Sequence, residues 1–482
     1  MAKVFYKTIS GGITKLQKSH SMNSSFWVAF GMLSSQLIRL SSNLVLTRLL
    51  LPEYFGIMAI VNSVLAFFTL MTDIGLVPNV INSKRDKEPE FMQTIWSLQV
   101  VMAALVSVLV ILAAYPVSLF YAEPLLLPIL ILVAISSFFA GMNSVALLLE
   151  RKYIRLKKLV LFQLVSQLLG TIVIIILAYY TKSIWSLVIG VMVTKLIMLT
   201  MSYMFFKPNY SKFRFERTTV SEVFNFGKWI FLSSIFSYIN SHSRPVILAV
   251  WLSMVQVGIY TVAASLAAVV EAIVNKLANM ILMPKYRQLI LGENYGGIVA
   301  VRKKMIMFFL PPTILIAISG EYIVRILYDD RYQWAGGVLQ ILALGRIATL
   351  LSSTARPLLL SMGNPKAHMG TQAMNTFISL PLLLLTGSFT SVNGLVIVIA
   401  LLPFIDYIIV RRQINRHKIS LFKVDKWLVL VAIMVIFSSW YALDSSALKL
   451  LKSFLLTLTV NLDFNSHDLL QNIYGEFFDE SN

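Results

Sequence analysis

The 482-residue chain has no cysteine, which excludes disulfide frameworks, thiolate metal sites and cysteine nucleophiles. Acid is scarce too: 22 Asp plus Glu face 41 Lys plus Arg, a formal net charge of +19. The five histidines, His20, His242, His368, His417 and His467, are too scattered to compose a metal motif. There is no Gly-x-x-x-x-Gly-Lys-Ser/Thr loop, and no Gly-x-Gly-x-x-Gly follows a strand, so nucleotide hydrolysis is not encoded. Long polar insertions are also missing. The largest connections between apolar runs, 207–228 and 283–303, are too short to house a soluble domain. That weighs against a membrane glycosyltransferase or polymerase, which would need a sizeable outer loop.

What is abundant is apolar material. Hydrophobic residues make up 57% of the chain and charged residues 13%, with a mean hydropathy of +0.77. This exceeds what one soluble core could bury and specifies a polytopic membrane protein. A bilayer core about 30 Å thick takes roughly 20 apolar residues per helix. Spans are expected near 26–47, 57–81, 92–115, 125–149, 159–180, 184–206, 229–251, 256–282, 304–320, 335–362, 367–387 and 391–410, twelve in all. A run over 427–443 is a candidate thirteenth, and 448–462, interrupted by Lys449 and Lys452, would close a terminal hairpin. The first 25 residues are basic, but the run that follows is full length and lacks a small-residue cleavage site, so it reads as an uncleaved first span.

The cations do not mark a nucleic-acid surface, because they alternate from loop to loop. The N-terminus and every second connection carry 29 Lys and Arg, whereas the opposite connections carry four: Arg48, Lys182, Arg325 and Arg331. By the positive-inside rule both ends of the twelve-span core are expected in the cytoplasm. The organisation expected is a basic segment 1–25, a first six-helix bundle 26–206, a basic linker 207–228, a second bundle 229–410, and a basic segment 411–482 with the additional span and a tail.

The two halves repeat. "LPEYFGIMAIVNSV" (51–64) follows the first span and "SMVQVGIYTVAASL" (253–266) the seventh, placing Gly56 on Gly258 at an offset of 202. "SLFYAEP" (118–124) and "RILYDDR" (325–331) place Tyr121 on Tyr328 at an offset of 207. Even-numbered halves start on the same side, so the repeat is parallel, about an axis along the membrane normal. The fold class expected is all-α, two six-helix bundles facing one cavity.

"NLVLTRLLLPEYFGIMAIVNSVLAFFTLMTDIGL" (43–76), "SIWSLVIG" (183–190), "FGKWIFLSSIFSYI" (226–239) and "VGIYTVAASLA" (257–267) resemble the polysaccharide-transporter branch, the Wzx-type flippases, of the MATE-like MOP superfamily. The likeness runs from about residue 26 to 414. It implies a V-shaped pair of bundles that moves undecaprenyl-diphosphate-linked repeat units between leaflets. It implies no cofactor, and as partners the lipid-linked oligosaccharide, membrane lipid and polysaccharide polymerase or assembly proteins. One departure stands out: relatives often place an acid early in the second half, where this chain reads "SHSRPVIL", with Ser243 before Arg244.

Charges inside the spans are the candidate site. Each Lys or Arg at a bilayer centre costs roughly 2.5–3.5 kcal/mol unless it faces a cavity or a partner. Arg39 and Arg244 fall in the outer half, Lys195 and Arg346 near the middle, and Lys276 and Arg356 in the inner half. Three acids, Asp73, Glu271 and Asp406, oppose six cations and are candidates for pairing or ion coupling. The surplus suits a dianionic diphosphate, and Asn43 and Asn240 flank two of the arginines as candidate sugar contacts. The competing expectation is simple helix locking, with Arg39 on Asp73 and Lys276 or Arg346 on Glu271. Gln99, Asn143, Gln163, Gln167, Asn275 and Asn279 are expected to bond between helices. Trp185, Trp251, Trp334 and Trp440 are expected as interfacial anchors, and Glu150 as an ion-pair partner of the adjacent basic loop. Functionally the chain reads as a lipid-linked oligosaccharide flippase. The alternative is a cation-coupled drug or metabolite exporter.

Overall fold

A computed structural model describes residues 27, 30–72, 76–83, 85–153, 156–207, 210–278, 282–362, 365–389, 392–416 and 422–461. Asp73 and Asn279 lie outside them, as does the side chain of Asn240. All regular structure among the described residues is helical. The first bundle comprises α1 (30–49), α2 (Pro52–Met71), α3 (Leu76–Asn82), α4 (Pro89–Phe120), α5 (Leu126–Gly141), α6 (Ala146–Lys152), α7 (Leu156–Thr181) and α8 (Trp185–Phe205). The second comprises α9 (Arg217–Trp251), α10 (Met254–Leu277), α11 (Met283–Leu291), α12 (Tyr295–Leu327), α13 (Gln333–Ser361), α14 (Pro365–Phe389) and α15 (Val392–Asn415), followed by α16 (Phe422–Ala442) and α17 (Ser446–Asn461). Eight helices among the described residues are long and apolar enough to cross a bilayer, or ten if two bent pairs each count as one. Within the described residues each expected span falls on helix, and the protein is a multi-pass membrane protein.

The bundles meet where α2 crosses α10. A Cβ on Gly56 would sit 2.0 Å from the carbonyl oxygen of Met254, and one on Gly258 would sit 1.8 Å from that of Pro52. Met254 is the repeat mate of Pro52, so the contact is reciprocal under the same offset of 202. Only glycine lets the two backbones approach this closely, the usual device of membrane helix interfaces. Pro at N1 opens α2, and a capping box between Ser253 and Gln256 opens α10, so both helices start firmly at the crossing.

The same face, which is the cation-poor one, carries further cross-bundle bonds. Tyr121 OH donates to Val246 O at 3.0 Å, and its repeat mate Tyr328 is bonded by Asn43 Nδ2 at 3.5 Å. Arg331 donates to the carbonyls of Thr47 (3.0 Å), Arg48 (3.3 Å) and Leu50 (3.3 Å) at the end of α1, and Arg48 donates to Leu327 O at 3.4 Å. Asp329 pairs with Arg331 and holds it in place.

At the cation-rich face the expected linker is strapped to the first bundle. Arg214 N donates to Ser97 Oγ (2.9 Å) and Glu216 N to Thr94 Oγ1 (3.1 Å), while Arg85 binds Glu216 (2.7 Å). Bonds from Thr219 and Arg85 hold the Glu216 carboxyl down at about 2. Burial alone would raise Asp86, but bonds from Lys152 and Tyr153 outweigh it and leave the carboxyl below its usual range. From Arg217 onward the linker is already α9.

Several expectations are corrected. The fourth span is two helices bent by 63°, and its freed carbonyls are taken by side chains: Gln99 Nε2 donates to Gly141 O (2.7 Å) and Asn143 O (3.0 Å), and Tyr203 OH to Met142 O (2.6 Å). The C-terminal hairpin is instead a 100° turn between α16 and α17, with Ser446 N on Glu321 (2.8 Å), so α17 lies across the second bundle's cation-poor end. Trp440 is no interfacial anchor. It is fully buried and donates to Ala317 O at 2.7 Å. Glu150 is buried, and no ion pair engages it among the described residues. Arg302, counted with the loop cations, is 3% exposed and bonds Asp425 (2.5 Å, itself 1% exposed) and Leu351 O (3.0 Å), with Tyr407 OH closing on the same carboxylate.

Candidate functional site

The intramembrane cations divide between two hollows. The first, of about 640 Å³, is walled by α1, α6, α7 and α10. Arg39, Arg151 and Lys276 line it together with Ser35, Gln36, Gln163 and Gln167, and no carboxylate among the described residues does. The 3.6-residue period puts Ser35, Gln36 and Arg39 on one stripe of α1. Ser35 Oγ donates to Gln167 Oε1 at 2.6 Å and Gln167 Nε2 returns a bond to Ser35 O at 3.1 Å, fixing α1 on α7 beside the hollow. Arg151 was not singled out in the sequence, because it stood among the loop cations. Its place at the end of α6, after the bend in the fourth span, brings it in.

The second hollow, of about 570 Å³, lies among α9, α10, α13, α14 and α15. Arg244, Arg346 and Arg356 line it with Glu271 and Asp406. Glu271 pairs with Arg346 and Asp406 with Arg356. Helix locking by Arg346 on Glu271 is thus present, and Lys276 is turned instead to the first hollow. Hydroxyls and amides complete the wall: Ser243, Thr349, Ser352, Ser353, Gln372 and Asn375. Both volumes fall within the range usual for small-molecule sites.

α10 separates the two. Consecutive residues Asn275 and Lys276, about 100° apart around a helix, face the second and the first hollow respectively. Among the described residues no carboxylate lies within 4.0 Å of Arg39, Lys195, Arg244 or Lys276, so a cationic surplus persists. Lys195, on α8, lines neither hollow. Asn43 lies at the cation-poor latch with Tyr328 and lines neither. The sequence missed Ser352, Ser353, Gln372 and Asn375. Polar residues in apolar spans were the available signal, but nothing distinguished wall from packing.

Comparison with known proteins places these features in a group. A family model described as "Polysaccharide biosynthesis protein" matches residues 45–336. The chain is 24% identical over 326 residues to the succinoglycan biosynthesis transport protein ExoT of Rhizobium meliloti (strain 1021), covering 66% of this chain and 65% of that protein, just under two thirds of its length. It is 20% identical over 374 residues to the lipopolysaccharide biosynthesis protein WzxC of Escherichia coli (strain K12), covering 76% and 75%. Among solved structures, the lipid II flippase MurJ in an inward closed conformation superposes with a TM-score of 0.67 at 14% identity, covering 94% of this chain and 99% of that one. An inward-facing multidrug resistance MATE transporter of the MOP superfamily gives 0.60 at 12%, covering 85% and 98%.

Proposed function

The chain belongs to the polysaccharide biosynthesis protein family, and on that premise we propose that it is a flippase rather than an enzyme. It carries undecaprenyl-diphosphate-linked oligosaccharide repeat units across the cytoplasmic membrane by alternating access, for assembly of a surface polysaccharide. The observation that carries the reading is the first hollow: three cations, four neutral polar side chains and, among the described residues, no acid. A diphosphate diester brings two negative charges. Arg39 supplies a planar fork that takes two phosphate oxygens at once, while Lys276 and Arg151 act as further positive charge at its edges. The names of ExoT, a succinoglycan biosynthesis transport protein, and WzxC, a lipopolysaccharide biosynthesis protein, support a polysaccharide-precursor substrate.

With the cation-rich face cytoplasmic, the latches described above close the outer side. The tyrosine latches are bonds between neutral groups, worth about 0.5–1.5 kcal/mol net each, and those donated by Arg331 and Arg48 are worth about 1.5–3 kcal/mol, so the set is within reach of substrate binding energy. An anionic group of the substrate entering the second hollow would compete with Glu271 and Asp406 for their arginines. A carboxylate released in this way can take up a proton, which couples substrate to gradient without a dedicated ion site. The exporter alternative draws on fold alone, since its structural relatives share 12–13% identity. A cell lacking its own flippase tests the proposal. Arg39→Gln and Lys276→Gln should each cut surface polymer at least about tenfold at equal membrane abundance, the value of one lost charge-assisted bond. Normal polymer in both variants would count against it.

A further inference from the structure

The two hollows differ in charge, and the difference bears on the sugar. In the second hollow Arg346 and Arg356 each have their own carboxylate. Arg244 has none among the described residues, so the wall retains one uncompensated guanidinium amid hydroxyls and amides. Hydroxyls and amides suffice for a neutral glycan. A guanidinium without its own carboxylate adds a positive charge that a neutral glycan does not require, and keeping one within a membrane costs roughly 2.5–3.5 kcal/mol unless an anion or water meets it. The diphosphate is already served in the first hollow. α10 presents Asn275 to the second hollow and Lys276 to the first, so the two hollows lie on either side of one helix.

We propose that the second hollow receives the glycan and that this glycan carries one carboxylate, as a uronic acid or a pyruvate ketal, seated two-pronged on Arg244. The inference rests on the flippase reading and deepens it. An alternative source of negative charge at Arg244 is the diphosphate itself, and the test separates the two.

Purified protein in vesicles is given three substrates on the same polyprenyl diphosphate, ending in glucuronic acid, its methyl ester or glucose, and initial flipping rates are compared. The acidic substrate should move about tenfold faster than the other two, as expected when a site built for a charged group meets an analogue lacking it. Arg244→Gln should shrink that ratio to under about threefold, and Arg244→Lys, which keeps charge but loses the fork, should leave it intermediate. A ratio of rates is insensitive to partial misfolding of a variant. Equal wild-type rates for all three would overturn the inference and leave the flippase reading standing. A proportionate fall of all three in Arg244→Gln would assign the arginine to the diphosphate and overturn it too. Failure to move any of the three would remove the reading and the inference together.

Discussion

Arg302 shows how a residue's neighbours decide its meaning. In the sequence it stands next to Lys303 and Lys304 and reads as one more loop charge, yet it is buried against Asp425, Tyr407 and Leu351 O. Removing one partner of such a pair strands a buried charge, at a cost of about 3–5 kcal/mol, whereas replacing both with apolar groups is often neutral. Arg302→Ala and Asp425→Ala should therefore each lower the unfolding temperature in detergent clearly, and Arg302→Met combined with Asp425→Leu should recover most of the loss. A double variant as unstable as the sum of the singles would contradict this. Glu216 gives a pH test. Its folded carboxyl titrates at about 2, held down by Thr219 and Arg85, below the ordinary glutamate value of about 4.3. A depressed carboxyl contributes stability that is complete above the unfolded value and is lost as pH falls through the folded one. Spin labels at Lys212 and Gln93 should hold one distance from pH 8 to about 5, and the distribution should broaden as pH falls from about 4 towards 2. Broadening already at pH 6 would show that Glu216 does not hold the strap.

Among the elements, legibility followed length. Spans of twenty apolar residues announce themselves because the bilayer demands that many, and among the described residues helix falls on each expected span. Bends did not announce themselves. Pro245, Pro311, Pro312, Pro357 and Pro381 sit inside continuous helices, while the 63° break falls at 142–145, where Gln99 and Tyr203 compensate the freed carbonyls from other helices. A hydropathy window averages over such a break, and the compensating residues lie far away in sequence. Candidate cations were legible because charge in an apolar run is conspicuous. Their division between two hollows was not, since it depends on which way α6 and α10 turn Arg151 and Lys276. The crossing of α2 and α10 was half legible: the repeat matched Gly56 to Gly258, but only the structure puts them in contact. Gly56→Val and Gly258→Val should separate the bundles by similar amounts, because each forces a side chain into the other's helix backbone. A spin-label distance across the cation-poor face should lengthen in both variants. Lengthening in one alone would deny that the contact is reciprocal.

For the whole molecule, the parallel repeat accounts for the arrangement. Two bundles related by an axis along the membrane normal touch at one face through the reciprocal contacts of Gly56 with Met254 and Gly258 with Pro52, flanked by Tyr121 with Val246 and Tyr328 with Asn43. These bonds, with those donated by Arg331 and Arg48, hold well enough to seal and weakly enough to release. The asymmetry lies in the charge: among the described residues three cations without a carboxylate partner line one hollow, and two ion pairs plus Arg244 line the other. The account's central claim is that the hollow lined by Arg39, Arg151 and Lys276 binds the diphosphate. The direct test is the initial flipping rate of a fluorescent undecaprenyl-diphosphate-linked oligosaccharide in vesicles containing only this protein, compared with Arg39→Gln plus Lys276→Gln. Two charge-assisted bonds predict a loss of at least about a hundredfold. A double variant that moves the lipid as fast as wild type would contradict the account.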